Sequence, residues 1–277
     1  MRAGAVQLNS TEDRDRNLRT AERLVRGAAS EGAELVALPE RLNVRGSHDL
    51  YAREAETLEG PTVSWARELA RELSIDLVAG SIAERREGRE KLSNTSVHVG
   101  PDGELKAVYR KIHLFDVTVG EIEYLESASD EPGGEIVVSE AADGTPIGLT
   151  VCYDLRFPEL FRILAVSGAR VITVPANFTL VTGEAHWDVL LRARAIENQV
   201  FVIAPAQFGV HPGDQGDTYG HSLIVDPWGV VLTEAADEES FVVADLDFDR
   251  QDQVRERLPS LRNRVPAAYR WPQEAPV

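Results

Sequence analysis

The sequence predicts an α/β fold in which strands alternate with helices. Residues 1–38 indicate a strand, a helix and a second strand, an order that implies parallel strands joined by a right-handed crossover. A further strand-to-helix junction follows residue 151, and short β-branched runs separated by turn residues fill the last third of the chain. Because no linker-like tract divides the sequence, we expect a single domain over residues 1–277.

The first 110 residues indicate parallel strands followed by a hairpin. Predicted strands cover residues 2–8, 34–38, 76–82, 92–99 and 104–110, and predicted helices cover residues 13–30 and 60–73. The apolar stripe of the first helix consists of Leu18, Ala21, Val25 and Ala28. Gly32 ends this helix, and Gly-Pro-Asp-Gly at residues 100–103 is a strong turn signal. The charged run at residues 83–90 is predicted to be a solvated loop.

The remainder of the chain begins with residues 115–134, for which we predict an irregular loop of functional length. Predicted strands cover residues 147–151, 170–174, 200–206, 219–225, 230–233 and 241–246, and predicted helices begin at Pro158 or cover residues 184–199 and 247–258. In the helix at 184–199, the side chains predicted to face the core are Trp187, Leu190, Leu191 and Ile196. The tail, residues 259–277 with Tyr269 and Trp271, is predicted to pack against another subunit.

The composition excludes several classes of partner. Asp and Glu outnumber Lys and Arg by 46 to 29, which gives a formal net charge of −17. A field of this sign repels phosphate backbones and anionic lipids, so neither nucleic acid nor a membrane is an expected partner. No apolar run suits a membrane span or a signal peptide, and a single cysteine excludes an internal disulfide. We therefore expect a cytoplasmic protein.

Cys152 is the only cysteine, and it lies where a buried strand gives way to a helix. In open α/β sheets, ligands bind beyond the carboxyl ends of the strands. Backbone N–H groups at the start of the following helix are expected to favour the thiolate. An isolated cysteine is more often a small buried apolar residue, so this position alone does not establish a nucleophile.

Two more ionisable residues follow predicted strands. Glu40 follows the strand at residues 34–38, and Lys111 follows the strand at residues 104–110. By itself, a glutamate at a strand end is more often solvated than catalytic. The lysine is distinctive because the chain has three lysines against 26 arginines. A compact ammonium group with a tunable pKa is one reason to retain lysine at this position.

The segments around Glu40, Lys111 and Cys152 together resemble the Glu–Lys–Cys signature of the nitrilase superfamily of carbon–nitrogen hydrolases. The later segments that resemble this family are Ala-His-Trp at residues 185–187, Arg-Ala-Arg-Ala-Ile-Glu-Asn-Gln at residues 192–199 and Tyr-Gly-His-Ser-Leu-Ile-Val-Asp-Pro-Trp-Gly at residues 219–229. The similarity is greatest to the branch that contains omega-amidase and deaminated glutathione amidase. It implies a four-layer αββα sandwich, with two sheets face to face and helices outside, assembled as a homodimer or a higher homo-oligomer.

The resemblance implies a catalytic role for each of these residues, with no metal or other cofactor. Cys152 would attack the amide carbon and form a thioester, while Glu40 would act in turn as base and acid. Lys111 would bind the oxyanion together with the backbone N–H of Tyr153.

A second, non-nucleophilic glutamate also belongs to the family pattern. Tyr-Leu-Glu-Ser at residues 124–127 matches its position, which assigns it to Glu126. Glu121 and Glu123 lie close by in the sequence and compete for this assignment.

A small linear amide with a distal carboxylate is the substrate that the resemblance implies. The candidate substrate-binding residues lie on the loops after Cys152 and after the next strand, and are Tyr153, Arg156, Asn177, Phe178, Thr179 and Thr182. Arg156 is the local cation, but it can equally pair with Asp154 or Glu159.

Other functions use the same residues or different ones. Hydrolysis of an N-carbamoyl amino acid or of a nitrile would need the same three groups, and a non-catalytic scaffold could retain the fold. A papain-like site would need a histidine beside Cys152, yet His113, His186 and His221 lie in no such local context. The histidines form no H-x-x-x-H pair, and the aspartates at residues 245–249 fit helix capping better than metal binding.

Overall fold

The computed structural model describes residues 1–210 and 216–269. Its helices are α1 (Arg14–Ser30), α2 (His48–Glu54), α3 (Pro61–Leu73), α4 (Pro158–Val166), α5 (Leu180–Asn198) and α6 (Phe248–Arg257). Its strands are β1 (Arg2–Gln7), β2 (Leu35–Ala37), β3 (Asp76–Val78), β4 (Ile82–Glu84), β5 (Ser93–Val99), β6 (Leu105–Arg110), β7 (Asp116–Val119), β8 (Ile122–Leu125), β9 (Val138–Glu140), β10 (Pro146–Leu149), β11 (Val171–Thr173), β12 (Phe201–Ala204), β13 (Phe208–Gly209), β14 (Thr218–Tyr219), β15 (Leu223–Val225), β16 (Val231–Glu234) and β17 (Ser240–Asp245).

Most strands belong to two mixed sheets. In the first sheet, β1, β2 and β3 are parallel neighbours, with β17 antiparallel to β1 and β5 antiparallel to β3. The antiparallel strands β4 and β6 also pair with β5. In the second sheet, β10, β11 and β12 are parallel, and β9, β15 and β16 extend its two edges in antiparallel pairs. The parallel strands at the centre of both sheets agree with the α/β prediction.

The two sheets pack face to face between outer helices. Successive side chains of a strand point to opposite faces, so Ala3 and Ala5 share a core with Ile147 of the second sheet. Val6 points the other way and packs in a second core with apolar residues of α1 and α3. On the far side of the second sheet, α4 and α5 add apolar side chains such as Trp187 to its core. The predicted four-layer αββα sandwich is therefore confirmed.

Helix ends follow the signals in the sequence. Asp13 accepts the backbone N–H of Arg16 at 2.9 Å and begins α1, and Asp247 accepts that of Arg250 at 2.9 Å and begins α6. Pro61 occupies the first turn of α3, where backbone N–H groups have no acceptor within the helix, so proline loses no hydrogen bond there. None of the helices in the described part of the chain combines the length and the apolar character that a bilayer span requires.

The prediction of one continuous strand over residues 76–82 is wrong, because the structure has two short strands there, β3 and β4. The strand is interrupted at Gly80, whose φ of +49° turns the chain into the left-handed region, and a Cβ there would collide with the carbonyl of Pro39. The chain then resumes as β4, which extends to Glu84. Glu84 is buried and accepts hydrogen bonds from Arg110, so the prediction of a solvated loop is wrong for the start of residues 83–90.

Three other elements differ from what the sequence predicted or were missed by it. Residues 115–134, predicted to be irregular, contain the hairpin β7–β8, and its turn has Gly120 at φ +62°. Helix α2 has seven residues, too few to show helical periodicity in the sequence. Helix α5 begins at Leu180 rather than residue 184, and Ile196 is 46% exposed rather than directed to the core.

Candidate active site

Three strand ends bring Glu40, Lys111 and Cys152 together. Glu40 follows β2, Lys111 follows β6 and Cys152 lies just beyond β10, and all three are buried and line one cavity of about 280 Å³. The Lys111 Nζ donates to Glu40 Oε1 at 3.0 Å. The thiol lies near enough for the charges of both neighbours to act on its pKa. The convergence predicted from the sequence is therefore present in the fold.

Cys152 sits on a tight turn. Its φ is +48°, a conformation that residues with a Cβ adopt rarely and that occurs at functional turns. Its N–H donates to the Pro175 carbonyl at 2.8 Å, and the Asp154 carboxylate accepts the Val151 N–H at 2.8 Å. A short 3₁₀ turn then leads to Pro158, where α4 begins as predicted.

The expectation that the start of the following helix favours the Cys152 thiolate is wrong. Burial raises the pKa of this thiol well above its usual value, and the carboxylate of Glu40 raises it further. Lys111 and the N–H of Asn177 act in the opposite direction but do not compensate. Helix α4 begins six residues later, and the backbone N–H that lowers the pKa of the thiol is that of Asn177 rather than one at the start of this helix. The free site thus contains a neutral thiol that needs a base.

Glu126 is a second carboxylate that contacts Lys111. The Lys111 Nζ donates to Glu126 Oε2 at 2.8 Å, and the backbone N–H of Phe115 donates to the same oxygen at 2.7 Å. Burial opposes ionisation, but the charges of Lys111 and Arg41 outweigh it and lower the pKa of Glu126 to about 2. Among the competing glutamates, Glu123 is exposed at the cavity mouth. The geometry therefore places Glu126, not its neighbours, against the ammonium group.

Lys111 stays charged in this environment. Burial acts to lower the pKa of its ammonium group, but the carboxylates of Glu126 and Glu40 outweigh burial and raise it well above the usual value. A permanent cation at this position suits the binding of a developing negative charge better than proton transfer.

Two polar residues in the site were missed by the sequence reasoning. Asn94, on β5, donates from Nδ2 to Glu40 Oε1 at 2.7 Å and to Glu126 Oε1 at 3.0 Å. The signal available was the polar run Ser-Asn-Thr-Ser at residues 93–96 in a strand that is wholly buried. Arg41, directly after Glu40, also lines the cavity.

Arg41 is held rigidly beside the catalytic groups. Its φ of +53° turns the chain, and its Nη2 lies 3.0 Å from Asp130 Oδ1 and 3.7 Å from Glu126 Oε1. The guanidinium group stacks over the ring of Tyr51 at 4.4 Å from its centroid. Arg41 thereby links Glu126 to helix α2, which contributes one wall of the cavity.

The predicted substrate-binding residues divide into two groups. Those that line the cavity are Tyr153, Asn177, Phe178, Thr179 and Thr182. Arg156 lies just behind them, with its guanidinium carbon 5.0 Å from the ring centroid of Phe178.

Arg156 pairs with neither Asp154 nor Glu159, the two carboxylates that the sequence offered as partners. Asp154 is fully buried and instead accepts hydrogen bonds from Tyr109 Oη at 2.6 Å and from the His113 N–H at 3.2 Å. Glu159 makes no ion pair with Arg156 in the described part of the chain, where the side chain of Arg156 meets His186 Nδ1 at 3.3 Å. The guanidinium group thus has no anionic partner among residues 1–210 and 216–269.

The histidines belong to other contacts. His113 Nδ1 lies 2.7 Å from Asp154 Oδ1, and His221 Nδ1 lies 2.7 Å from Glu234 Oε1. No histidine of the described ranges other than His48, at the mouth, lines the cavity of Cys152. Within the same ranges no cluster of three or more His, Cys, Asp or Glu side chains is arranged to hold a metal ion. The geometry therefore favours a glutamate rather than a histidine as the base.

Comparison with known proteins agrees with this geometry. The chain is similar to deaminated glutathione amidase of a Synechocystis strain, with 41% identity over 95% of this chain and 97% of the relative. It is similar to omega-amidase NIT2 of Mus musculus, with 40% identity over 97% and 96% of the two chains.

A solved structure of the Nesterenkonia sp. AN1 amidase, a mutant in which one glutamate is replaced by glutamine, has a TM-score of 0.80 and 27% identity, covering 96% of this chain and 94% of that one. That structure shows the acetamide moiety of fluoroacetamide added covalently at its active-site cysteine. Residues 2–256 match the carbon–nitrogen hydrolase family. The protein therefore belongs to the carbon–nitrogen hydrolase family.

Proposed function

We propose that this protein hydrolyses a small linear amide, with a carboxylate at its far end, to a carboxylic acid and ammonia through a thioester on Cys152. The observation that carries the proposal is the placement of Lys111 between Glu40 and Glu126 beside a buried thiol. A nucleophile, a base and an oxyanion donor are the three groups that amide hydrolysis requires.

In the first step, the sulfur of Cys152 attacks the amide carbon while Glu40 takes the thiol proton. The carbonyl oxygen becomes an oxyanion that accepts hydrogen bonds from Lys111 and from the Tyr153 N–H. An ammonium group has three N–H donors, and two of those of Lys111 go to the glutamates, so one remains for substrate. The Tyr153 N–H has no acceptor within residues 1–210 and 216–269, which suits this role.

In the second step, Glu40 returns its proton to the amine, the carbon–nitrogen bond breaks, and ammonia leaves a thioester on Cys152. Water then attacks the thioester carbon while Glu40 takes a proton from it. The carbon–sulfur bond breaks, the carboxylic acid leaves, and the proton on Glu40 restores the thiol. The Asn177 N–H, which donates to Glu40 Oε2 at 2.9 Å, keeps the carboxylate in place through these transfers.

Glu126 contributes charge and position rather than proton transfer. Because the pKa of its carboxyl group is lowered to about 2, it stays ionised at neutral pH. It therefore anchors Lys111 and compensates its charge, while Glu40 moves the protons.

The far carboxylate of the substrate is assigned to Arg156, with the side chains of Asn177 and Thr179 as further polar contacts. Arg156 does not itself line the cavity, but it is partly exposed, has no anionic partner in the described ranges and contacts Phe178 of the cavity wall. The names of the relatives, omega-amidase and deaminated glutathione amidase, support an amide of this type. A charge-assisted pair with one arginine gives selectivity despite a net charge of −17, because long-range fields are screened.

The test is ammonia release from linear amides that differ only in a far carboxylate or a neutral methyl ester. We expect the carboxylate substrates to be preferred, and Arg156→Met to raise their KM by about 10- to 100-fold, because a charge-assisted hydrogen bond is lost. The methyl esters should show no comparable change. Arg162→Met, on α4, is the matched control for loss of an arginine.

Two outcomes would contradict the assignment. An equal KM effect on ester and carboxylate substrates would remove Arg156 from substrate recognition. Carbon dioxide released with the amine from N-carbamoyl amino acids, or turnover of nitriles in place of amides, would assign the site to one of the alternative reactions. Absence of turnover on every substrate, with an unreactive Cys152, would favour a binding protein.

We also propose a cytoplasmic homodimer, formed by one domain over residues 1–277 with the tail at or near the interface. One face of α5 carries exposed apolar side chains, with Val181 66%, Val189 64% and Ile196 46% exposed. Spacings of eight and seven residues place them on one side of the helix, and exposed apolar patches of this kind favour subunit contacts. Trp271 of the proposed interfacial tail lies outside the described residues.

For this assembly, we expect Val189→Glu to convert the dimer to a monomer, because burying the new charge in an apolar interface costs several kcal/mol. Light scattering coupled to size-exclusion chromatography measures the mass. Glu68→Gln, on the exposed side of α3, is the control. A Val189→Glu protein that keeps the mass of the parent would place the contact elsewhere, and a monomeric parent would reject the homodimer.

A further inference from the structure

Asn94 touches three of the groups to which a catalytic role is assigned above. Its Nδ2 donates to Glu40 Oε1 at 2.7 Å and to Glu126 Oε1 at 3.0 Å. Its own carbonyl oxygen accepts the backbone N–H of Lys111 at 2.9 Å. Asn94 is 1% exposed and does not line the cavity, so substrate does not reach it.

We infer that Asn94 is a positioning residue, which holds Glu40 and Glu126 in the orientation that catalysis needs. The inference rests on the proposed function of the Cys152 site. An amide nitrogen has two N–H donors, and here each of them is given to a different carboxylate. Both acceptor oxygens are available together only while the two carboxylates are arranged as the structure shows them.

The charge balance explains why a neutral donor is suitable at this position. Lys111 already donates to both glutamates, and Arg41 lies 3.7 Å from Glu126 as a second cation. A further cation in place of Asn94 would stabilise the Glu40 carboxylate so strongly that it could no longer accept the thiol proton. Without any donor, the two carboxylates would repel each other across the gap. A neutral amide stabilises both anions and adds no charge.

The remaining side-chain atom of Asn94 permits a clean experiment. Its Oδ1 is buried and has no hydrogen-bond partner within the described part of the chain. Asn94→Ala therefore removes two donated hydrogen bonds together with one unsatisfied acceptor, whose burial is itself unfavourable. The backbone carbonyl that holds Lys111 stays in place. We expect the variants to fold.

The test compares Asn94→Ala and Asn94→Asp with Ser96→Ala. Ser96 lies two residues further along β5, on the same face, and its hydroxyl is also buried without a partner in the described ranges. We expect kcat of Asn94→Ala to fall by about 10- to 100-fold, the usual effect of losing a supporting hydrogen bond behind a reactive group. The kcat of Ser96→Ala should stay within about twofold of that of the parent, which is the ordinary scatter of neutral substitutions.

Alkylation of Cys152 by iodoacetamide provides a readout that needs no substrate. If Asn94 positions the base, alkylation of Asn94→Ala should slow by about the same factor as kcat, since both begin with proton transfer to Glu40. If the parent protein releases no ammonia from any amide, the proposed function fails, and the alkylation rates still decide the role of Asn94.

The pH dependence separates positioning from packing. An aspartate at this position is a donor only when protonated, so the rate of Asn94→Asp relative to the parent should rise as pH falls, whereas that of Asn94→Ala should not. The inference would be overturned if kcat and the alkylation rate of Asn94→Ala stayed within about twofold of the parent, since neutral changes scatter by that much. So would parallel pH profiles for the two Asn94 variants.

Discussion

Cys152→Ala is expected to reduce amide hydrolysis by about 10⁴-fold or more, the range seen when a covalent nucleophile is removed. The reason is that Glu40 and Lys111 remain but no atom is left to form the thioester. Folding should change little, because alanine fits the space of a small buried side chain, with a cost of about 1 kcal/mol or less. Ammonia release and the free energy of unfolding measure the two effects separately.

Trapping the intermediate gives the corresponding positive result. Parent protein quenched in acid during turnover should carry the mass of the acyl group on the peptide that contains Cys152, and Cys152→Ala should carry none. Thr150→Ser, a conservative change of a buried residue two positions earlier, is the matched control and should retain the adduct. Full activity in Cys152→Ala, or an adduct on another residue, would contradict the mechanism.

Lys111→Met is expected to reduce kcat by about 10³-fold or more. Loss of one oxyanion donor accounts for about 10²- to 10³-fold, and the disturbed pair of glutamates adds to it. The same change should destabilise the fold by about 3–5 kcal/mol, because it leaves two buried carboxylates without their ammonium partner. Lys106→Met, which removes a half-exposed lysine paired with Asp102, is the control and should alter neither quantity appreciably.

The stability deficit of Lys111→Met should depend on pH in a defined direction. Lys111 helps to lower the pKa of Glu126 to about 2, so the stabilisation of this carboxylate is complete above its usual pKa of 4.5 and is lost as pH falls through 2. The difference in unfolding free energy between parent and variant should thus shrink between these two pH values. Denaturant titrations across the acid range measure it.

A second variant tests whether the carboxylates are the cause. Lys111→Met/Glu126→Gln replaces one buried charge by a neutral amide and should recover part of the stability but none of the activity. A deficit that is the same at every pH, or that the double variant does not reduce, would show that Lys111 stabilises the fold by packing alone.

The sequence predicted most of the site because each of the three central residues follows a strand. Local patterns placed each residue at a strand end, but Glu40 and Lys111 follow strands of the first sheet and Cys152 follows a strand of the second, so their convergence could be expected only from the resemblance to a known signature. Elements with strong local signals were also predicted well, such as α1 with its cap at Asp13.

Other features were beyond the reach of local patterns. Asn94 stands in a strand whose polar side chains are buried because partners lie far away in the chain. The start of the following helix was expected to favour the thiolate of Cys152, but the pKa of the thiol depends on burial and on the charge of Glu40, which only the packed site brings close. By contrast, Ile196 was predicted to face the core, but it lies nine residues after Trp187, a spacing that places it on the opposite side of the helix, and it faces outward.

The sequence by itself determined the identity of the reactive groups and the strand–helix order that presents them, since both depend on residue type and short-range spacing. The tertiary structure decided how those groups behave. It placed one ammonium group between two carboxylates, kept the sulfur neutral and held Asn94 behind the glutamates. Ionisation and orientation arise from burial and from charges that are distant in the chain, so they exist only once the two sheets have packed.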